Sequence, residues 1–535
     1  MLRTLYRGGR VHTPADPTAT ALLVDGDRIA WLGVDTDAPV ADAVVELDGA
    51  LVTPAFVDAH VHTTDTGLAL RGLRLAGLAS ADAVLAAVAA HAATLPADAV
   101  VLGHGWDESG WADEGLPTAA ELDRAAGGRR VYLSRACVHS ALVSSALLTP
   151  QARSVDGFMD TGWLTRAAHH VARAAAMASV SAGQRRDAQR AALRHAAALG
   201  IGAVHECGGP DICGEDDFTG LLALARGGGL PEVHGYWGEL GAAAKAKELG
   251  AVGAGGDLFA DGSLGARTAH LRVPYAMGTG GAAARGGGRA GAVDAGEVGA
   301  GGGDVGHGYL DVAGVAAHVV DCARHGLQAG FHAIGDAALG TVLDGFAGAE
   351  KVLGQDRLRV GRHRLEHAEL LDKALIAAMV EFGLVASVQP AFDRLWGGAD
   401  GMYASRLGAG RALAANPFGS LAGVGVPLAF GSDSPVTDLD PWGTCRAAMT
   451  HHNPVQRVGL KAAFAAHTRG GWRAVNRDDD GVLNPHWPAT FVVWDTPGGL
   501  TGTLPTLVGG PEESCPQLPV ARRTVVRGRV VHRTD

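Results

Sequence analysis

The chain reads as an α/β protein, a closed (β/α)8 barrel with a small β-module assembled from both chain ends. Three observations predict this. Ala/Leu-rich helical stretches alternate with short apolar strands through the middle of the chain, the pattern of a parallel sheet with helical crossovers. The first fifty and the last fifty residues carry strand-and-turn patterns instead. Residues able to ligate a metal fall where the apolar strands stop, the face on which barrels carry their chemistry.

At the N-terminus Ala21–Val24 alternates, Asp25-Gly26-Asp27 reads as a turn, and Arg28–Leu32 and Ala43–Leu47 read as strands. Near the other end Thr490–Trp494 is a β-branched and aromatic run, and Thr524–Val531 (TVVRGRVV) echoes Thr4–Val11 (TLYRGGRV). The two ends, residues 1–53 and 476–535, are therefore expected to form one composite β-domain around a barrel over residues 54–475. Inside that span Arg185–Leu199 precedes Gly202–His205, Val312–His325 precedes Gln328–His332, and Ala337–Phe346 precedes Arg364–His367. Leu371–Phe382 then precedes Val385–Gln389, and Arg411–Val424 precedes Pro427–Asp433. So many repeats favour a closed barrel over an open doubly wound sheet. Gly278–Gly308 is too rich in glycine to offset its ordering entropy by burial and is expected to be a flexible surface loop.

Composition narrows the partners. With 45 Lys+Arg against 56 Asp+Glu the net charge is −11, and no dense basic run offers a footprint for nucleic acid or an anionic membrane. The opening residues MLRTLYRGGRVHTP lack the apolar core of an export signal, so the expected location is cytoplasmic. The uncharged run Ala412–Ser432 is broken by Pro417 and Pro427 and is not expected to span a membrane. Six scattered cysteines without C-x-x-C spacing point to reduced thiols, neither a disulfide framework nor a thiolate metal site. A small-molecule substrate is the expected partner; a homo-oligomer is compatible with the sequence and not specified by it.

The sharpest local feature is Val52–His62 (VTPAFVDAHVH), an apolar strand ending in H-x-H. Residues two apart on a strand share a face, so His60 and His62 can share one ion. His332, His367 and Asp433 each close a further expected strand. Together they predict one divalent-metal site of imidazole and carboxylate ligands, zinc the first expectation. Such a metal makes a nucleophile of water at neutral pH and polarises a carbonyl. Asp433 would then carry the proton to a leaving nitrogen. Its structural alternative is a turn residue before Ser434-Pro435.

With these residues the chain resembles the amidohydrolase superfamily, and within it the amidohydrolase family 3 branch of YtcJ-like proteins and N-substituted formamide deformylases. The resemblance runs over nearly the whole chain. It also rests on Gly103–Ser109 (GHGWDES), Leu133–Ser140 (LSRACVHS) and Phe259–Ala269 (FADGSLGARTA), in order with the His332, His367 and Asp433 segments. It implies a TIM-like barrel with a β-sandwich built from both ends, and metal-dependent hydrolysis of C–N bonds, amide or N-acyl. It implies that His60 and His62 bind a first metal with Asp433, and that His332 and His367 bind a second. Trp106, Asp107, Glu108, His139 and Arg267 fall in motifs that resemble substrate-facing loops; a packed Trp and capping or solvated polar groups are the alternative.

One position departs from the pattern. Many relatives place a Lys, carboxylated and bridging two metals, two residues before the Phe of the F-x-D-G segment, where this chain has Asp257. Asp257, Phe259 and Asp261 are expected on one strand face, which would let the shorter, already anionic Asp257 act as a ligand. A mononuclear site is the competing arrangement. Two other functions compete with amide hydrolysis: a ring-amidine deaminase using the same chemistry, and a catalytically silent scaffold.

Overall fold

The structure, a computed structural model, describes residues 3–108, 111, 115–135, 140–276, 303–509 and 515–534. Two compact units emerge, the smaller comprising residues 63–192 and the larger the chain to either side of it.

The larger unit holds the barrel. Its eight strands are β1 (Phe56–Val61), β2 (Ile201–Gly208), β3 (Glu232–Trp237), β4 (Gly253–Ala254), β5 (Gln328–Ala333), β6 (Arg364–His367), β7 (Val385–Val388) and β8 (Leu428–Phe430). They lie in sequence order as one parallel sheet. The sheet closes through the backbone of the metal-candidate residues: the Asp433 N–H donates to His60 O at 2.8 Å, and the His62 N–H to Ser434 O at 2.9 Å. Gly431 permits the approach, since a Cβ there would lie 2.6 Å from the His60 nitrogen.

Helices follow the strands and bury their outer faces. Phe331 of β5 and Leu365 of β6 share a core with Val319, Val342 and Phe346 from helices Val312–His325 and Asp336–Leu353. Burying each such side chain contributes about 1.5–3 kcal/mol. Helix Val312–His325 starts where the Asp311 side chain accepts from Gly314 N and stops at Gly326, φ +71°; both ends follow the usual capping chemistry.

Both chain ends supply one five-stranded sheet, ordered Arg10–Val11, Leu51–Pro54, Phe491–Asp495, Val520–Val526, Arg529–Arg533. A second sheet of four strands, Arg28–Gly33, Ala21–Asp25, Arg3–Arg7 and Ala43–Glu46, shares a core with it: Tyr6, Leu22 and Ile29 pack with Val52, Phe491 and Val525. The two look-alike segments fold differently. Thr524–Val531 is a hairpin turning at Arg527 and Gly528, φ +49° and +74°, whereas Thr4–Val11 divides between the two sheets.

The smaller unit has its own sheet, ordered Trp163–Thr165, Ser140–Val143, Val131–Arg135, Val101–Trp106, Leu73–Arg74. These strands fall within the span 54–475 expected for the barrel. Asp257, Phe259 and Asp261 do not lie on a continuation of β4: that strand ends at Ala254, Gly255 and Gly256 take φ +152° and +78°, and the chain returns to the sheet through a parallel bridge between Phe259 and His332. Of the Gly278–Gly308 segment, residues up to 302 lie outside the described residues, so the expected loop is not described there. No disulfide joins the described cysteines, and no described helix is long and apolar enough to cross a membrane.

Candidate metal centre

At the C-terminal ends of the barrel strands the structure gathers His60, His62, Asp257, His332, His367 and Asp433, all buried. His60 and His62 come from the end of β1, as two residues of one strand face. His332 sits on β5, one residue before its end. His367 ends β6 in a left-handed conformation, φ +68°. Arg364 and Glu366 of that strand face the barrel interior, so regular alternation would send His367 to the opposite side; the backbone turn brings it back. Asp433, three residues beyond β8, is likewise left-handed at φ +57°. Two non-glycine residues in this region, each costing about 1–3 kcal/mol, mark a site the surrounding fold holds in place.

Asp257 is the hub. Its Oδ1 lies 3.3 Å from His60 Nε2, 3.6 Å from His332 Nδ1 and 4.0 Å from His367 Nε2, and its Oδ2 lies 3.2 Å from His62 Nε2. Asp433 Oδ1 stands 3.1 Å from His62 Nε2 and 3.5 Å from His60 Nε2. Ligating atoms within 4.8 Å of one another define the groups His60–His62–Asp257, His60–His367–Asp433 and Asp257–His332–His367.

The outward nitrogens of these rings are committed elsewhere. His62 Nδ1 meets Cys207 O at 3.0 Å, His60 Nδ1 meets Glu366 Oε2 at 3.0 Å, His367 Nδ1 meets Gln389 Oε1 at 2.9 Å, and His332 Nε2 meets Gly262 O at 3.3 Å. Each partner oxygen accepts, so each of these nitrogens carries the hydrogen. In a neutral ring the other nitrogen is then a lone pair, and it faces Asp257 or Asp433. Consistent with this, His60 Nε2, His332 Nδ1, His367 Nε2 and Asp257 Oδ1 are buried without hydrogen-bond partners. Lone pairs opposed to carboxylates need a proton or a cation between them. Burial opposes protonating His62, yet Asp257 and Asp433 hold it well above the usual imidazole range. Burial likewise opposes ionising Asp257, yet the surrounding histidines hold it well below the usual carboxylate range. Imidazole and carboxylate donors in this number fit a divalent cation, with outward hydrogen bonds orienting the ligands.

The remaining expected residues lie otherwise. Trp106 is fully buried in the smaller unit, its indole N–H donating to Leu133 O at 2.8 Å. Asp107 and Glu108, also in that unit, pair with Arg135 at 3.0 and 2.8 Å. His139 lies outside the described residues. Arg267, in the larger unit, donates to Asp304 Oδ2 at 2.9 Å with its guanidinium 4.8 Å above the Tyr275 ring. Asp261 serves the backbone, accepting from Ile334, Gly335 and His270 N–H groups. The sequence reading assigned no role to Glu366, Arg364 or Gln389. The signal for the first two was present: a charged pair two apart on an apolar strand, one residue before a candidate ligand.

A model of the amidohydrolase family matches residues 43–532. The chain is 26% identical to Protein LONG AFTER FAR-RED 3 of Arabidopsis thaliana, over 92% of this chain and 88% of that one. It is 28% identical to "Putative amidohydrolase YtcJ" of Bacillus subtilis, over 82% of each. An uncharacterised metal-dependent hydrolase from Pyrococcus furiosus matches in structure with TM-score 0.73 at 23% identity, covering 92% of this chain and 98% of that one, a likeness of fold. With the family model running from residue 43 through the barrel to residue 532, the chain belongs to the amidohydrolase family, a family of hydrolases.

Proposed function

We propose that this hydrolase cleaves non-peptide C–N bonds, amide or N-acyl, in small molecules, and that it does so with divalent metal held by the buried cluster. The observation that carries the reading is that His60 Nε2, His332 Nδ1, His367 Nε2 and Asp257 Oδ1 are buried and turned on one another with no hydrogen-bond partner. His60, His62 and Asp433 would hold one ion, His332 and His367 a second, with Asp257 common to both groups in place of a longer bridging side chain. The donor set suits zinc. When bound, such an ion lowers the pKa of water toward 7 and polarises a carbonyl.

The protein's own groups do the rest. The hydrogen bonds from His60, His62 and His367 to Glu366, Cys207 and Gln389 fix which nitrogen each ring presents. Asp433, ionised and beside His62, takes the proton of the attacking water and delivers it to the leaving nitrogen, which otherwise departs as an amide anion. Burial keeps bulk water from competing for that proton.

The test is metal content per chain, on protein purified without chelator or affinity metal, beside the His60→Ala/His62→Ala variant, with amine release measured over a panel of N-acyl amines. Metal lost in the variant together with amine release from the wild type supports the reading. Ammonia from ring amidines in place of amine would assign the centre to deamination, and a chain that takes up no metal on reconstitution would remove the mechanism.

A further inference from the structure

Beneath the metal-facing residues the barrel interior holds a buried ion pair, of which the mechanism above uses only the contact between Glu366 and His60. Arg364 and Glu366 are both fully buried on β6. Arg364 grips Glu366 with both arms, Nε to Oε1 at 2.9 Å and Nη2 to Oε2 at 2.9 Å. The same guanidinium reaches Ala59 O of β1 at 2.7 Å, Ser387 Oγ of β7 at 2.9 Å and His205 Nδ1 of β2 at 2.9 Å, and lies 4.3 Å above the Tyr236 ring of β3. One side chain thus ties β6 to four other strands. Desolvating such a pair consumes most of its own attraction, so stability alone is a weak reason for it.

Its geometry points to another role. Glu366 Oε2 also meets His60 Nδ1 at 3.0 Å. Glu366 belongs to a group of close ligating atoms with His60 and Cys207, which raises the question of whether it ligates or positions. Oε2, the oxygen that faces His60, already accepts from both Arg364 and His60, and Oε1 is held by Arg364, an arrangement that suits a partner of the ring better than a ligand. A carboxylate held in this way lets His60 turn in only one direction, with its Nδ1 hydrogen toward Glu366 and its Nε2 toward Asp257 and Asp433.

We propose that Arg364 and Glu366 are a positioning pair that holds His60 in one tautomer and one orientation, and thereby sets metal affinity at the His60/His62 half of the centre without touching the ion. The inference rests on the reading of the centre as a divalent metal site. It differs from a structural role in what it perturbs. A fold-stabilising pair affects unfolding of the metal-free protein and leaves the affinity of the folded protein alone; a positioning pair changes affinity in the folded protein, and at one half of the centre.

The experiment is a zinc titration of metal-free wild type, Glu366→Gln, Glu366→Asp and Arg364→Lys against a competing chelator, with the unfolding midpoint of each metal-free protein measured beside it. Loss of an outer hydrogen-bond partner of a metal ligand typically lowers affinity about 10- to 100-fold. Glu366→Gln is expected to fall in that range for one zinc equivalent, with any other equivalent within about threefold of wild type. Glu366→Asp keeps the charge but cannot span Arg364 and His60 at once, and Arg364→Lys keeps the charge but not the fork; both are expected to weaken the same equivalent. Variants that unfold more easily while their folded forms bind zinc as wild type does would overturn the proposal, as would equal weakening of every equivalent. If Glu366→Gln does not fold, Glu366→Asp carries the same comparison. Wild-type protein that takes no zinc would instead remove the metal reading itself, and the positioning role with it.

Discussion

Replacing Asp257 by Asn tests the centre at its hub. The substitution keeps size and shape while removing the charge that stands 3.2 to 4.0 Å from four imidazole nitrogens. Taking one partner from a buried charged set costs about 3–5 kcal/mol, and at about 1.4 kcal/mol per factor of ten this corresponds to roughly 10²- to 10⁴-fold in affinity for a divalent ion. Asp257 is shared by the groups His60–His62–Asp257 and Asp257–His332–His367, so the loss is expected at every zinc equivalent. That separates it from Glu366→Gln, which should weaken only one. The assay is zinc content after dialysis, followed by chelator competition on the folded variant, with circular dichroism to establish that the fold is retained. A variant that keeps the wild-type complement with affinity within about threefold would refute the placement of Asp257 in the centre. Weakening of a single equivalent would refute its position between the two halves.

Three further outcomes are expected. Asp433→Asn should lower kcat by about 10²- to 10⁴-fold, the range of a lost proton-transfer group, and the loss should exceed what its measured zinc content explains. The stabilisation of the protein by zinc should widen as pH rises from 6.5: against the pull of burial, Asp257 and Asp433 raise His62 well above 6.5 in the metal-free fold. That contribution is complete below 6.5 and lost as pH climbs through the raised value, while zinc binds the deprotonated ring; thermal unfolding with and without zinc between pH 6.5 and 8.5 reads the gap, and a gap that narrows would contradict the assignment. Burial pushes the Glu369 carboxyl from 4.5 up to about 7, so the folded state favours its neutral form and is penalised as pH rises through that window. Glu369→Gln should therefore stabilise by about 3 kcal/mol near pH 8 and by little near pH 4, measured as the shift of the first urea transition, and the same shift at both pH values would count against it.

What could be read in the sequence follows from what is local. His60 and His62 are recognisable because strand alternation puts residues two apart on one face. His332, His367 and Asp433 are recognisable because apolar runs stop just before or at them. The strands Glu232–Trp237 and Gly253–Ala254 escape such a reading: the first opens with Glu and carries a His and a Gly, and the second is two residues long, held by its neighbours and not by any run of its own. The unit over residues 63–192 escapes for the opposite reason, since its strands and helices carry the same local signals as the barrel and only non-local pairing assigns them to a separate sheet.

The manner in which the ligand candidates approach one another was the least legible feature. Along β6 alternation places Arg364 and Glu366 inward and would turn His367 away; a left-handed backbone at His367 reconciles the ion pair below with the ligand candidate above. No residue pattern announces a histidine with positive φ, because the local preference runs against it. Asp257 shows the same limit. Its identity suggested a shortened bridge on a regular strand, whereas the chain leaves β4 after two residues and carries Asp257 inward through Gly255 and Gly256. From there its short carboxylate stands within 3.2 to 4.0 Å of nitrogens from both pairs of histidines. The length of a side chain therefore does not decide whether it can bridge; the position of its Cα does, and that is set by pairing between strands distant in sequence.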